Sequence, residues 1–242
     1  MAKIKQTGPV KIKKLHSARR SITAGDKKTP PYLICIGASA GGVNAVMEIV
    51  AQLPPKLNAA VFILLHISTT TISELLVERM RRQSALDCSV AKDKEHIIAG
   101  HIYIAPADVH LLVKDGQVIY GHGPHENRFR PSIDVLFRSA AVAYGERTIG
   151  IILTGYLNDG TIGMWNIKQC GGHTIVQDPA EAEFPDMPTA VLEKMKVDHS
   201  LPLAEIGEVV TNIIRTYKIR GIKPPPQIVA ESSLSERTAA GI

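Results

Sequence analysis

The sequence lacks the features that would assign it to a membrane-spanning or secreted class. None of its apolar runs approaches the roughly 20 residues that a transmembrane helix needs. The N-terminal segment is positively charged, but no apolar stretch of the kind found in signal peptides follows it. We therefore expect a cytoplasmic protein that does not insert into a membrane.

Cysteine is also scarce, and its three copies lie far apart at Cys35, Cys88 and Cys170. They form neither a CxxC pair nor any other metal-ligand spacing. Free cysteine usually behaves as a small buried apolar residue. We predict three reduced, mostly buried thiols.

The centre of the chain carries no net positive charge, although the net charge of the whole sequence is +5. Residues 1–30 contain nine Lys or Arg and one Asp, whereas residues 31–217 contain fifteen basic and twenty acidic residues. We interpret 1–30 as a solvated, disordered basic arm and 218–242 as a flexible, Pro-rich tail. The alternative is an arm that contacts nucleic acid or acidic partners. Because the excess charge is confined to the termini, we expect no nucleic-acid function for the whole protein.

Between these termini, apolar runs alternate with helical patterns and predict one α/β domain over residues 31–217. The predicted buried strands lie at residues 32–37, 59–66, 148–154 and 173–177. Residues 109–120 predict a hairpin, since Asp115-Gly116 favours a tight turn. The expected fold is doubly wound, with a mainly parallel sheet flanked by helices and a small antiparallel hairpin.

A glycine-rich turn, Gly37-Ala38-Ser39-Ala40-Gly41-Gly42, connects the first strand to its helix. Small residues around a serine let the backbone turn sharply and expose the hydroxyl at a helix N-terminus, where negative charge is stabilised. The same kind of turn can hold a phosphate or a dinucleotide. By itself the turn leaves both possibilities open.

The positions of His66 and Asp159 favour the nucleophile. His66 ends the second predicted strand and Asp159 lies in the loop after the 148–154 strand, while Ser39 follows the first strand. Open α/β sheets build their sites at these carboxyl ends. A serine needs a base to take its proton, and the base needs a group that orients it. Ser39, His66 and Asp159 supply these three roles.

The competing interpretations fit less well. A dinucleotide site expects an acidic residue at the end of the second strand, where this chain has His66. The turn around Ser39 contains no lysine for a phosphate-binding loop. The order Ser, His, Asp also differs from the order in α/β-hydrolases, so that fold is not implied.

Five segments in this order resemble the catalytic domain of chemotaxis protein-glutamate methylesterases. They are IGASAGG (36–42), the His66 strand end, GHIYIAP (100–106), NRFRPSIDVLF (127–137) and ILTGYLNDGTIGM (152–164). The resemblance covers about 32–210. It implies that the protein hydrolyses glutamate γ-methyl esters on the Glu-rich cytoplasmic helices of chemoreceptors, with a second activity of glutamine deamidation. It assigns the nucleophile, histidine and aspartate to Ser39, His66 and Asp159, and it implies no metal or cofactor.

The sequence departs from this family at three positions near the site. Ala40 replaces the usual threonine after the nucleophile, and Tyr156-Leu157 replaces Met-Gly. Backbone N–H groups around Ala40 and the His66 loop are candidates for an oxyanion hole, and Tyr156 occupies the position that lines the ester pocket. These departures leave open an alternative, a catalytically weak receptor-binding module of the same fold. The basic segment of residues 1–30 is too short to form the family's receiver domain.

Two further groups of residues are candidates for binding. Arg128 and Arg130 are candidate clamps for a Glu-rich receptor helix, because guanidinium groups pair with carboxylates in a bidentate manner. A solvated or structural role is the alternative. His122 and His125 lack a third metal ligand at a suitable spacing, so we interpret them as loop histidines.

Overall fold

The apolar runs of the sequence form the centre of a parallel sheet in the computed structural model, which describes residues 30–66 and 70–239. Its strands are β1 (Tyr32–Ala38), β2 (Ala59–Leu65), β3 (Asp87–Val90), β4 (His101–Ile104), β7 (Thr148–Ile152), β8 (His173–Gln177) and β9 (His199–Leu201). A separate antiparallel hairpin contains β5 (His110–Lys114) and β6 (Gln117–Gly121). The basic segment 1–30 lies outside the described residues except for Pro30.

The sheet order is β3-β4-β2-β1-β7-β8-β9, and every pair within it is parallel. The first strand of the sheet in chain order, β1, lies at its centre. The chain continues to β2 on one side of β1 and later returns to β7 on the other side. The direction of winding therefore reverses between β1 and β7. In open α/β sheets this reversal opens a crevice at the carboxyl ends of the strands.

Helices cover both faces of the sheet. They are α1 (Gly42–Gln52), α2 (Thr70–Gln83), α3 (Ile133–Tyr144), α4 (Thr161–Gln169), α5 (Asp186–Lys194), α6 (Leu203–Thr216) and α7 (Pro226–Ala239). Alternate residues of β1 enter two separate cores. Ile34 and Ile36 pack in the core with α1, α2 and α6, whereas Leu33 and Cys35 pack in the core with α3, α4 and α5. The predicted doubly wound α/β fold with an antiparallel hairpin is confirmed.

Close packing brings the start of α3 against β1. A Cβ atom added at Gly37 would lie 2.6 Å from Cγ2 of Ile133, a distance that real Cβ contacts essentially never show. Glycine at this position therefore allows the first residue of α3 to approach the carboxyl end of β1. This approach matters for the site because it aims the N-terminus of α3 at the crevice.

Several details differ from the predictions. β2 ends at Leu65 and β7 at Ile152, so His66 and Thr154 follow their strands rather than belong to them. The short strands β3, β4 and β9 were not predicted. Residues 226–239 of the predicted flexible tail form α7, which packs on α3 and beside β6 and buries Ile228.

Two predictions made from the composition concern the cysteines and membrane insertion. All three cysteines are free and buried, as predicted. Burial raises the pKa of the Cys170 thiol to about 11, which keeps it protonated. Among the helices of the described residues, none combines the length and apolar character that would be needed to cross a bilayer.

Candidate active site

Ser39 and His66 stand side by side at the carboxyl edge of the sheet. The parallel register of β1 and β2 pairs Ala38 with Leu65, so the next residues of the two strands are neighbours. The His66 N–H extends the ladder by donating to the Ala38 carbonyl at 3.3 Å. Adjacent strands are about 4.8 Å apart. The sheet thus makes residues 39 and 66, which are 27 positions apart in the sequence, neighbours at this edge.

The turn around Ser39 is tight and closely covered. The Gly42 N–H donates to the Ser39 carbonyl at 2.9 Å, and Gly41 adopts a left-handed φ of 72° immediately before α1. On the other side, the Ser39 N–H donates to the Thr154 carbonyl at 3.0 Å. A Cβ atom at Gly155 would lie 2.7 Å from Cβ of Ser39, so only glycine lets this loop pass so close.

One backbone donor at this turn is free. Within the described part of the chain, no group accepts a hydrogen bond from the Ala40 N–H. This N–H lies directly after Ser39 and one residue before Gly41, the N-cap of α1, so it is close to the helix end where the dipole favours negative charge. It is therefore suited to an oxyanion. The other predicted source, the loop after His66, falls on residues 67–69, which lie outside the described residues.

His66 and Asp159 form a buried pair. Nε2 of His66 lies 2.9 Å from Oδ2 of Asp159, and the two side chains are 6% and 0% exposed. The other ring nitrogen, Nδ1, is buried and has no hydrogen-bond partner among the described residues. A neutral ring that donates Nε2–H to the carboxylate leaves an unoccupied lone pair on Nδ1. The structure brings His66 and Asp159 into contact, while the Ser39 hydroxyl makes no hydrogen bond to the ring. Such bonds often lengthen in free enzymes.

An aromatic ring fixes the plane of the imidazole. Phe129 stacks on His66 with ring centroids 3.6 Å apart and an interplanar angle of 2°. This contact restricts rotation of the imidazole while leaving both ring nitrogens available in its plane. Phe129 therefore fixes the plane of the imidazole, which a hydrogen bond to Asp159 alone would not do.

Asp159 sits on the N-terminus of α3. Its Oδ1 accepts hydrogen bonds from the Ser132 hydroxyl at 2.9 Å and from the Asp134 N–H at 3.3 Å. Its Oδ2 accepts from the Ile133 N–H at 2.7 Å. The first backbone N–H groups of a helix have no partner within the helix, and the dipole adds positive potential there. The carboxylate of Asp159 thus satisfies the start of α3 and is held by it.

These donors keep Asp159 ionised although it is buried. Burial pushes the pKa of the Asp159 carboxyl upward, but hydrogen bonds from His66, Asn127 and the Ile133 N–H outweigh this effect. The net result is a pKa below the ordinary value of an aspartate. An ionised carboxylate can stabilise the imidazolium that forms when His66 takes a proton.

A second carboxyl group, Asp134, lies behind the first. Nδ2 of Asn127 donates to Oδ2 of Asp134 at 2.6 Å and to Oδ1 of Asp159 at 2.8 Å, so one amide bridges both acids. Oδ1 of Asp134 also accepts from the Gly163 N–H at 2.6 Å. Burial and the neighbouring charge of Asp159 raise the pKa of Asp134 to about 7. The two acids therefore differ in ionisation around neutral pH.

The two candidate arginines have different environments. Arg130 donates to Oδ1 of Asp108 through both Nε and Nη2, at 3.0 and 2.6 Å, and to the Gly123 carbonyl at 3.0 Å. Its guanidinium is thus engaged in holding the loop together, as the structural alternative expects. Arg128 is exposed and makes no polar contact within the described residues.

The other sequence candidates lie at the surface. Tyr156 is 52% exposed, and its ring packs at a tilt on Phe184 with centroids 4.6 Å apart. Leu157, also exposed, has a left-handed φ of 68°. His122 and His125 are exposed, and the described residues include no cluster of three or more acidic, His or Cys side chains suited to a metal ion.

Sequence reasoning missed three residues that hold the site, Asn127, Phe129 and Ser132. All three lie in the segment NRFRPSIDVLF, whose similarity to the family was noted without a role for them. Asn127 carried a further signal, since asparagine tolerates the left-handed φ of 53° found there better than most residues do. Nothing local in the sequence indicates the stacking of Phe129 on His66.

Comparisons with known proteins agree on one family. A family model described as CheB methylesterase matches residues 34–210. A Leptospira interrogans protein provisionally named protein-glutamate methylesterase/protein-glutamine glutaminase is 39% identical over 176 residues, which are 72% of this chain and 91% of that protein. A protein of that name from Hydrogenovibrio crunogenus is 36% identical over 187 residues, which are 76% of this chain and 49% of that protein.

A solved structure shows the same architecture. The catalytic domain of CheB methylesterase from Thermotoga maritima superposes with a TM-score of 0.72 at 31% identity, covering 75% of this chain and 98% of that one. The match in sequence and the match in fold both include the segments that carry the candidate site. The chain belongs to the CheB methylesterase family.

Proposed function

We propose that this protein hydrolyses glutamate γ-methyl esters on chemoreceptors, with Ser39 as the nucleophile, His66 as the base and Asp159 as the residue that orients the base. One observation supports the catalytic assignment most strongly. The buried Nδ1 of His66 has no hydrogen-bond partner among the described residues, while Nε2 is held by Asp159 at 2.9 Å, and the register of β1 and β2 makes Ser39 and His66 neighbours along the sheet edge. A base with one ring nitrogen held by a carboxylate and the other free to take a proton is what general-base activation of a neighbouring serine calls for.

In the proposed reaction, Nδ1 of His66 takes the hydroxyl proton as Oγ of Ser39 attacks the ester carbonyl. The tetrahedral oxyanion accepts a hydrogen bond from the Ala40 N–H, a contact that typically contributes a factor of about 10²–10³ in rate. The C–O bond to the methoxy group then breaks, and His66 returns the proton so that methanol leaves. Water, deprotonated by His66, hydrolyses the acyl-enzyme and releases glutamate and free Ser39.

The same acyl-enzyme accounts for glutamine deamidation, which we propose as a second activity. An amide substrate would lose ammonia in place of methanol, and the later steps would be identical. We propose that the substrates are the Glu-rich cytoplasmic helices of methyl-accepting chemoreceptors, which places the protein in the cytoplasm. The comparisons give no support to the alternative of a catalytically weak binding module.

The test is methanol release from a methylated receptor, together with fluorophosphonate labelling followed by peptide mapping. Ser39→Ala is expected to lower turnover by roughly 10⁴–10⁶ and to abolish labelling, as in other serine triads. Ser200→Ala, which removes an exposed hydroxyl from β9, is the matched control and should behave like the wild type. Methanol release by Ser39→Ala near the control rate would remove Ser39 from the mechanism.

Arg128 is the proposed contact for the acidic receptor helix, since its exposed guanidinium is not engaged elsewhere in the described structure. Arg128→Ala is expected to raise KM and leave kcat unchanged, because the contact would bind substrate and transition state equally. Arg82→Ala, an exposed arginine on α2, is the control. An unchanged KM for Arg128→Ala would exclude this contact.

A further inference from the structure

The C-terminal helix α7 contacts the loop that carries Asn127 and Phe129. It begins sixteen residues past the part of the chain matched by the family model. Ile228 and Ser232 of α7 are buried, and the helix packs on α3 and β6. A Cβ atom added at Gly123 would lie 3.1 Å from Cγ2 of Thr238, so the loop approaches α7 closely.

A polar chain leads from α7 to this loop through Arg138 of α3. Nη2 of Arg138 donates to Oγ of Ser235 at 2.6 Å. The same guanidinium makes a two-pronged pair with Glu126, at 3.0 Å from Nη1 and 2.9 Å from Nη2. The side chain of Arg138 is 9% exposed and that of Glu126 is 36% exposed, so the guanidinium end of this pair is shielded from water. Bidentate pairs of this kind restrict orientation as well as distance.

Glu126 in turn fixes a four-residue turn. Its N–H donates to the Phe129 carbonyl at 3.2 Å, and the Phe129 N–H donates to the Glu126 carbonyl at 2.9 Å. The turn contains Asn127, whose amide bridges Asp159 and Asp134, and it ends with the ring that stacks on His66. Any rotation of this turn therefore moves a contact of the base and a contact of the carboxylate together.

We propose that α7 is a brace that positions the catalytic histidine and aspartate through Arg138 and Glu126. Ser235, Arg138 and Glu126 are positioning residues under this proposal, because none of them contacts the reacting atoms. The inference rests on the proposed function, in that it assigns a task to contacts behind the Ser39, His66 and Asp159 site. Its consequence is that a hydroxyl on the last turns of α7 affects turnover rather than substrate affinity.

The chain offers a matched pair of serines on α7 for the test. Oγ of Ser235 donates to the Glu231 carbonyl, and Oγ of Ser233 donates to the Val229 carbonyl, each four residues earlier. Only Ser235 also accepts from Arg138. Ser235→Ala is expected to lower kcat roughly three- to tenfold with an unchanged KM, because small displacements of catalytic groups slow turnover steeply. Ser233→Ala should retain the wild-type kcat, and both variants should melt at similar temperatures.

Two further full-length variants extend the test. Ser235→Thr keeps the hydroxyl and is expected to retain kcat, whereas Arg138→Lys loses the fork and should lower kcat at least as much as Ser235→Ala. Fluorophosphonate labelling of Ser39 should slow in parallel with kcat. If Ser235→Ala and Arg138→Lys label and turn over like Ser233→Ala, or change only KM, the brace is excluded. Absence of Ser39 labelling in the wild type would instead refute the proposed function.

Discussion

Asn127 provides the most direct test of how the buried acids are held. Its Nδ2 is the shared donor to Asp134 and Asp159, at 2.6 and 2.8 Å. We predict that Asn127→Gly lowers both stability and kcat. Glycine is the informative substitution because it adopts the observed φ of 53° without the strain that other residues incur there.

The expected loss of stability follows from the two hydrogen bonds. A hydrogen bond to a charged group contributes about 1.5–3 kcal/mol and one to a neutral group about 0.5–1.5 kcal/mol, so the bond to ionised Asp159 is the larger of the two. Asn127 lies at the surface, so water can replace part of the lost interaction, and we expect about 2–3 kcal/mol in total. Asp159 retains its contacts with Ser132 and the Ile133 N–H and stays ionised. The carboxylate is nevertheless less constrained, and we expect kcat to fall roughly 10- to 100-fold.

The assays are denaturant unfolding and methanol release from methylated receptor. Lys94→Gly is the matched control, because Lys94 has a φ of 60°, is exposed and donates its N–H to the Val118 carbonyl of the hairpin. Its destabilisation measures the entropic effect of introducing glycine at a left-handed position. If Asn127→Gly were no less stable than Lys94→Gly and kept kcat within about twofold of wild type, the bridging role of the amide would be wrong.

Three other variants test neighbouring contacts. Phe129→Leu keeps an apolar side chain on His66 but removes the aromatic ring that stacks on the imidazole, so kcat for methanol release should fall roughly tenfold. An unchanged kcat would argue against a role for Phe129 in positioning the imidazole. Between pH 4 and 7 the folded state holds a proton on Asp134 that the unfolded chain releases. The contribution of Asp134 to the free energy of unfolding is therefore present at low pH and falls as pH rises, by up to about 1.4 kcal/mol per pH unit. The difference in unfolding free energy between wild type and Asp134→Asn should therefore decrease from pH 5 to pH 8, whereas a constant difference would contradict the raised pKa. Gly155→Ala would place a Cβ atom 2.2 Å from Sδ of Met187 and should destabilise the protein by about 1–3 kcal/mol in thermal melts. A wild-type melting temperature would show that the loop can move aside.

The central strands of the fold could be predicted from the sequence, because strands that are buried on both faces appear as continuous apolar runs. The run Ala59–Leu65 has no polar alternation, which is typical of a central parallel strand, and it forms β2. By contrast, β3 and β9 contain four and three residues and include exposed positions, so they carry no recognisable period. They are paired because β4 and β8 present an edge to them, which is a tertiary effect.

The sequence predicted where the candidate site lies, but not which residues hold its side chains in place. Ser39, His66 and Asp159 each follow a strand that was recognised from its apolar run, and parallel strands bring their carboxyl ends to one edge. Asn127 and Phe129 reach the site from a loop that belongs to no strand. Their placement depends on the pairing of Glu126 with Arg138, two charged residues that local patterns would assign to a solvated surface.

The start of α3 explains why these separate contacts act on one geometry. Asp159 takes its backbone hydrogen bonds from Ile133 and Asp134, and Ile133 is also the residue that approaches β1 where Gly37 leaves room. The position of the carboxylate is therefore set by how α3 docks on the sheet, and the position of His66 is set by β2 and by the carboxylate. Arg138 lies on the same helix and donates a hydrogen bond to Ser235 of α7, which packs on α3. A change in this contact can therefore affect the site through α3 as well as through the loop. Asp159 and its hydrogen-bond donors Ser132, Ile133 and Asp134 thus depend on the docking of one helix, α3, against the central strands β1 and β7.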